Sequence, residues 1–434
     1  MIIEKISEYF EFVKHKTNVK TEVLAGVSTF LALSYIFIVN PAILAEAGMS
    51  KGFVLFATII ASFLATFAMG ILAKKPFVLA PGLEMNAYVA FFVVASLGFS
   101  WQAGLGAVFW SGILFMVLTA LDIRQKIITA IPDSMKGGLA LSVGVFLALI
   151  AFKISGMLLY EGVNLSAVGS LLSGEAIVVY FGLMTILVLE RLKIRGSVLI
   201  SIILSTIFAY GLGLGTAAAD VSTMSTGWFD GILQFDIMVI LDPRIWSAVL
   251  VLFLVDFYGS VAKFIGLTRN TSIVNKDGTM PQMKEALSID GIGTIVGSAL
   301  GTTSITTYVE SGVGIGAGGR TGLTAVVCSL LMLSFLLLSP VIGMVPVIAT
   351  GGALLFVGIT LLPSKEELGG YTWIDKTSVI LMAITVLLTF ALDKAMLVGF
   401  GAYIMSSVIA KRKVDKYLVA STILLLIGVV LQLI

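Results

Sequence analysis

The chain has 434 residues, 58% of them hydrophobic and 12% charged, with a formal net charge of +2 and a mean hydropathy of +1.08. Soluble domains run nearer one half apolar and one quarter charged, so a soluble globule is excluded and lipid must solvate most of this chain. The small net charge without a basic block speaks against nucleic acid as a partner; one cysteine, Cys328, and one histidine, His15, exclude an internal disulfide, a thiolate or imidazole metal cluster and histidine-based catalysis.

Residues 1–20 form a charged, amphipathic N-terminal segment rather than a basic tip before an apolar core, so no cleavable leader is expected. Apolar runs bounded by charges or turn residues then predict membrane spans at 21–42, 53–73, 77–96, 102–121, 137–153, 175–190 and 196–215. After a polar outside linker, 216–243, a second set follows at 244–267, 286–301, 304–318, 321–340, 344–362, 375–392 and 395–410. A last apolar run, 417–434, is either a further crossing or an appended helix. With a cytoplasmic N-terminus, the inside loops receive Lys74, Lys75, Arg124, Lys126, Arg191, Lys193 and Arg195, then Arg269, Lys276, Lys284, Arg320, Lys365 and Lys411 to Lys413. The outside loops keep little beyond Lys51, Arg244 and Lys394, as the positive-inside rule requires.

Seven spans reverse the direction of the chain, so the second seven run inverted, and an inverted repeat should break at matching places. The third span carries Pro81-Gly82 followed by Glu84 and Asn86; the tenth carries the polar stretch Thr302 to Thr307 followed by Glu310 and a glycine series. Broken backbone at membrane depth is tolerated only where it lines a cavity or is buried in protein.

A carboxylate within an apolar span costs at least ~2.5 kcal/mol, and three stand out: Glu84, Asp256 and Glu310. Carboxylates accept from ring N–H and amino groups, the Asn86 amide both donates and accepts, and free N–H groups at a helix start reach ring nitrogens and carbonyls. Phe257, Tyr258, Tyr88 and Tyr308 are candidates to stack on a planar heterocycle. Burial also favours the neutral form of a carboxylate, which lets such a group load and release a proton. The competing structural readings are pairing of a carboxylate with Lys263, helix capping, and plain aromatic packing.

At these same residues the sequence resembles the nucleobase/ascorbate transporter superfamily (nucleobase:cation symporter-2), in its adenine/guanine/hypoxanthine permease branch. The likeness runs over nearly the whole chain: Gly26 to Phe30 with Tyr35 through Asn40-Pro41, Ala80-Pro81-Gly82 through Asn86-Ala87-Tyr88, and Val255-Asp256 followed by Gly259. The most specific string is Thr306 to Gly312 leading into Ala317-Gly318-Gly319-Arg320-Thr321-Gly322 and on to Ala325. The resemblance implies an all-α polytopic fold of about fourteen segments in a 7+7 inverted repeat, with short strands and half-helices in segments 3 and 10. It implies a core of 21–125 and 244–340, and a gate of 126–215 and 341–434 that also forms a homodimer. It further implies purine import by proton symport with elevator-type alternating access. Compactness and the lack of long tails point to a bacterial inner membrane, and with His15 and Cys328 badly placed for a nucleophile–base pair or metal site no enzymatic activity and no cofactor are expected. Site residues carried over are Asn86, Asp256 and Glu310 for the base, with Asp256 and Glu310 coupling to the proton; Glu84, Phe257 and Tyr308 join them as neighbours of the site. Two positions depart from the branch: Glu84 stands where glycine is usual, and Phe257 follows Asp256 where threonine is usual. Both leave a pyrimidine or other neutral ring, or sodium coupling, as the alternative.

Overall fold

Most of the apolar runs fold as single helices, whereas 321–340 and 344–362 are divided into shorter helical pieces; the structure, a computed structural model, describes residues 2–121, 131–161, 164–215, 227–268, 271–275 and 280–432. The predicted division at 125/126, residues 216–226 of the linker, and Arg124, Lys126, Arg269 and Lys276 lie outside the described residues. A short helix α1 (Ile2–Tyr9) and a single turn α2 (Phe12–His15) precede α3 (Val19–Leu33) and α4 (Ile36–Ala45). These last two make one broken span. Pro41 sits inside α4, where it lacks a donor and crowds the preceding turn, and the chain tightens to three-residue bonds from Phe37 to Ser34 (3.3 Å) and Ile38 to Tyr35 (3.1 Å). Tyr35 therefore stands at the break.

Helix α5 (Lys51–Ile71) is continuous over 21 residues, about 31 Å at 1.5 Å per residue, and serves as a ruler across the bilayer. Strand β1 (Leu79–Pro81), α6 (Leu83–Ala87) and a π-helical turn, Tyr88–Val94, replace the third predicted span. Next come α7 (Trp101–Ala120) and α8 (Asp133–Ile154). An antiparallel hairpin, β2 (Leu158–Glu161) with β3 (Asn164–Val168), fills a stretch for which no element was expected. Helices α9 (Gly174–Arg191) and α10 (Ser197–Gly211) close the first half.

The second half runs α11 (Trp246–Thr268), α12 (Met283–Leu300), strand β4 (Ile305–Thr307), α13 (Ser311–Gly316) and α14 (Gly322–Met332). It continues through α15 (Ser339–Gly343), α16 (Gly351–Thr360), α17 (Lys365–Gly370), α18 (Trp373–Thr389), α19 (Leu392–Ile409) and α20 (Lys416–Leu431). Among the described residues, seven segments are long and apolar enough to cross a bilayer: Val19–Ala45, Lys51–Ile71, Trp101–Ala120, Asp133–Ile154, Pro243–Thr268, Val347–Gly370 and Leu392–Ile409.

The ends of α5 define two faces. At its far end the Tyr9 hydroxyl donates to the Ile71 carbonyl (2.9 Å) and the Lys74 ammonium lies 4.2 Å from the Tyr9 ring. At its start, the segment ahead of α11 is pinned down rather than loose: the Leu233 N–H donates to Ala299 (2.7 Å) and the Asp236 N–H to Gln102 (2.9 Å). The final apolar run folds as α20, a 16-residue apolar helix. Helix α20 runs beside α11 and α19, and the Gln432 amide donates to Asp393 at the start of α19 (2.9 Å), so α20 reaches the face from which α5 starts.

The two interrupted segments meet in the middle. Strands β1 and β4 pair antiparallel, with Leu79 opposite Thr307, Ala80 opposite Thr306 and Pro81 opposite Ile305, and every one of these residues is buried. Backbone groups at this depth have no water to satisfy them. The neighbours supply what three-residue strands cannot: Leu79 exchanges both of its backbone bonds with the Thr66 hydroxyl (2.9 and 3.0 Å), Gly82 donates to Ser304 (3.0 Å), and Tyr308 to Val78 (2.9 Å).

Candidate functional site

Each strand hands over to a short helix, α6 or α13, and both helix starts point to one cavity of about 570 Å³. Its wall includes Tyr35, Glu84, Lys263, Tyr308 and Glu310 on one side and Glu190, Lys193, Arg195 and Phe356 on the other. Glu310 immediately precedes α13. The Tyr35 hydroxyl donates to its Oε1 (2.8 Å), while its Oε2 is buried and accepts no hydrogen bond among the described residues. The Glu84 carboxylate lies 3.9 Å from the Lys263 ammonium, each side chain 17% exposed. That ammonium also sits 5.9 Å from the centre of the Tyr308 ring, whose hydroxyl donates to the Pro81 carbonyl. Lys263 thus neighbours Glu84, seven residues and two helical turns beyond Asp256.

Of the six predicted site residues, Glu84, Tyr308 and Glu310 line this cavity and Asn86, Asp256 and Phe257 do not. Asn86 is fully buried behind the strand crossing; its Oδ1 accepts from the Thr303 hydroxyl and its Nδ2 has no acceptor among the described residues. Asp256 lies behind β4, its Oδ2 accepting from Thr294 (2.8 Å) and its Oδ1 without a hydrogen bond among the described residues. Phe257 belongs to an aromatic cluster with Phe115 (5.1 Å) and Phe253 (5.3 Å) on α7 and α11, so its ring is already covered by protein. Tyr88 likewise stacks on Phe92 (5.0 Å) in the core.

Two participants escaped the sequence. Asp290 is fully buried on α12 and accepts from the Ser260 hydroxyl and from Thr307 (3.1 Å), so the second half holds two carboxylates, Asp256 and Asp290, behind β4. Ser260 is also 2.8 Å from Thr306, tying this layer to the strand. Tyr35 entered only as part of a family-like string; the signal that could have singled it out is Pro41, six residues on, which breaks the first span just there.

A further buried carboxylate, Glu22, explains the most family-like string. Its Oε1 accepts from Thr17 (2.8 Å) and the Arg320 N–H (2.9 Å), and its Oε2 from the Thr321 N–H (3.2 Å) and the Thr324 hydroxyl (2.6 Å). These N–H groups stand at the start of α14, where the helix dipole favours an anion. Thus 318–325 fasten α14 to α3 and lie off the cavity wall.

Broken membrane segments that cross beside a cavity with charged groups on a largely apolar wall fit a multi-span membrane transporter. The chain belongs to the nucleobase/ascorbate transporter family: the family model Xan_ur_permease, described as a permease family, matches residues 20–392. A Methanocaldococcus jannaschii protein carrying a permease name without a cargo is 37% identical over 93% of this chain and 92% of its own length. The adenine permease AdeP of Escherichia coli is 33% identical, covering 92% of this chain and 89% of its own. The guanine/hypoxanthine permease PbuO of Bacillus subtilis is 30% identical, covering 91% and 93%. The transmembrane domain of the cyanobacterial bicarbonate transporter BicA shares the fold, with a TM-score of 0.64 at 15% identity over 88% of this chain and 97% of that one. The protein is a permease and not an enzyme.

Proposed function

We propose that this permease imports purine nucleobases (adenine, guanine or hypoxanthine) by proton symport. The observation that carries the reading is Glu310, a residue of the cavity wall that keeps one carboxylate oxygen on Tyr35 and the other buried without a partner among the described residues. An unpartnered buried acceptor is costly unless a ligand donor meets it, and a purine ring N–H is such a donor. The Lys263 ammonium supplies a donor for a ring carbonyl or nitrogen, Glu84 a second acceptor for an amino group, and Tyr308 an aromatic face. Asp256, Asp290 and Asn86 act from behind the strands, with Asp256 carrying the coupling proton. The names of the Escherichia coli and Bacillus subtilis relatives support purines as the cargo.

The architecture of this reading is fourteen segments in two inverted sevens, working as core and gate with the boundaries expected from sequence. The packing supports it: α5 packs on α14 as its counterpart α12 packs on α7, and α9 packs on α16 as α18 packs on α8. Core meets gate through polar ties at two places, Arg195 to Ser28 (2.5 Å) at one, and Ser247 to Asp393 (3.2 Å) with Gln432 to Ser247 at the other. The core shifts past the gate in an elevator motion, and the gate forms the homodimer. The cavity wall carries Lys193 and Arg195, residues of the inside by the positive-inside rule, so this conformation is open to the cytoplasm, with α1 on that side of a bacterial inner membrane.

The test is uptake of radiolabelled adenine, guanine and hypoxanthine in cells lacking purine carriers, with and without a protonophore. Saturable, protonophore-sensitive uptake of at least one base is expected, with Glu310→Gln lowering it at least about tenfold while the protein still inserts. Normal uptake by that variant, or none by the wild type verified in the membrane, would refute the reading.

A further inference from the structure

The Tyr35 hydroxyl meets a carboxylate 275 residues further along the chain, on the same side of the cavity. Its ring is 1% exposed and lies at the break between α3 and α4. The two oxygens of a carboxylate are equivalent and its last torsion is broad, so the carboxyl group by itself does not fix the plane in which it stands. The phenol decides it. A tyrosine ring has only two side-chain torsions and loses little freedom on being fixed, and a hydrogen bond to a charged acceptor is among the stronger ones. With Oε1 held at 2.8 Å, Oε2 is left as the acceptor without a partner among the described residues.

We propose that Tyr35 is a positioning residue for the substrate carboxylate: its hydroxyl holds Glu310 Oε1 and presents Oε2 to the cargo, which brings the first membrane segment into recognition. The inference rests on Glu310 being the group that binds the base. It also gives the break in the first segment a role. Ser34 and Tyr35 keep helical dihedrals, but the chain tightens to three-residue bonds there, and that tighter turn sets the bearing of the phenol toward Glu310.

The experiment is equilibrium binding of tritiated adenine, guanine, hypoxanthine and uracil to the purified full-length protein, alongside thermal unfolding. Tyr35→Phe removes one oxygen and keeps the ring. The Kd for whichever base the wild type binds should rise about tenfold, with Tm changed by no more than about 2 °C; a purely structural tyrosine would lower Tm and leave the Kd of the folded protein alone. A bond from the phenol to a neutral amide is worth about half that to a carboxylate. The double variant Tyr35→Phe/Glu310→Gln should therefore weaken binding by less than the product of the two single effects. An unchanged Kd in Tyr35→Phe overturns the positioning role while leaving purine transport standing, and a full product in the double variant overturns it as well. Weakened binding of uracil, with no purine bound by the wild type, keeps Tyr35 and overturns the purine cargo. Binding of none of the four by the wild type overturns both.

Discussion

Replacing Glu22 by glutamine changes one atom and sets a defined problem for the fold. The two carboxylate oxygens each take one backbone N–H and one hydroxyl: Arg320 N and Thr17 on one, Thr321 N and Thr324 on the other. A hydroxyl can turn round and accept from an amide, but a backbone N–H cannot. Whichever way the glutamine is set, one of the two N–H groups faces its NH₂ and loses its partner. An orphaned buried donor costs about 1–3 kcal/mol, and the remaining bonds lose their charge assistance, so the whole substitution costs about 3 kcal/mol. With an unfolding entropy near 2 cal/mol/K per residue, that is a fall of about 3 °C in Tm. Tryptophan-fluorescence melting of the purified protein reads it, and uptake at a permissive temperature should keep its KM because Glu22 is off the cavity wall. An unchanged Tm would mean that the two N–H groups find acceptors elsewhere, and the anchoring role of Glu22 would be wrong.

Gly322→Ala should be more damaging, since a Cβ there would lie 1.9 Å from the Gly70 carbonyl oxygen and α5 would have to part from α14; yield and Tm should drop, while Gly316→Ala, with open space around it, should behave as wild type. Burial pushes the Lys75 ammonium, in the loop after α5, down from its ordinary 10.5 to about 8, with Lys14 adding to the effect. Between those values the folded state sheds a proton that the unfolded chain keeps, so the penalty is fully present below about pH 8 and fades as pH rises toward 10.5. Lys75→Met should accordingly raise stability at pH 7 by at most about 3 kcal/mol, with the gain shrinking by pH 10; an equal Tm shift at both pH values would refute the assignment.

Seven of the fourteen predicted segments are legible as long apolar runs, because apolar length and flanking charge decide what can cross a bilayer, and the two interrupted runs are legible from their proline, glycine and polar residues. Pro81-Gly82 and the polar stretch Thr302 to Thr307 do become the crossing strands, and the acidic residues just beyond them, Glu84 and Glu310, do reach the cavity. Side-chain bearing was less legible. Asn86 follows Glu84 by two residues on α6, about 200° round the helix, so one facing the cavity sends the other behind the strands; the sequence contains both, but the phase depends on where the strand hands over to the helix. Asp256 and Phe257 are on a long continuous helix packed chiefly on α7 and α20, and no local pattern reveals which face it turns to them. Asp290 lay near the start of a predicted run and drew no notice, although a carboxylate amid Ile289, Gly291 and Ile292 deserved the same treatment as the other three. The β2–β3 hairpin was missed because four- and five-residue strands give too few alternations to stand out.

Because Gln432 donates to both Asp393 and Ser247, the end of α20 holds the starts of α11 and α19 to one another. A label attached at that corner would report any shift between those two helices.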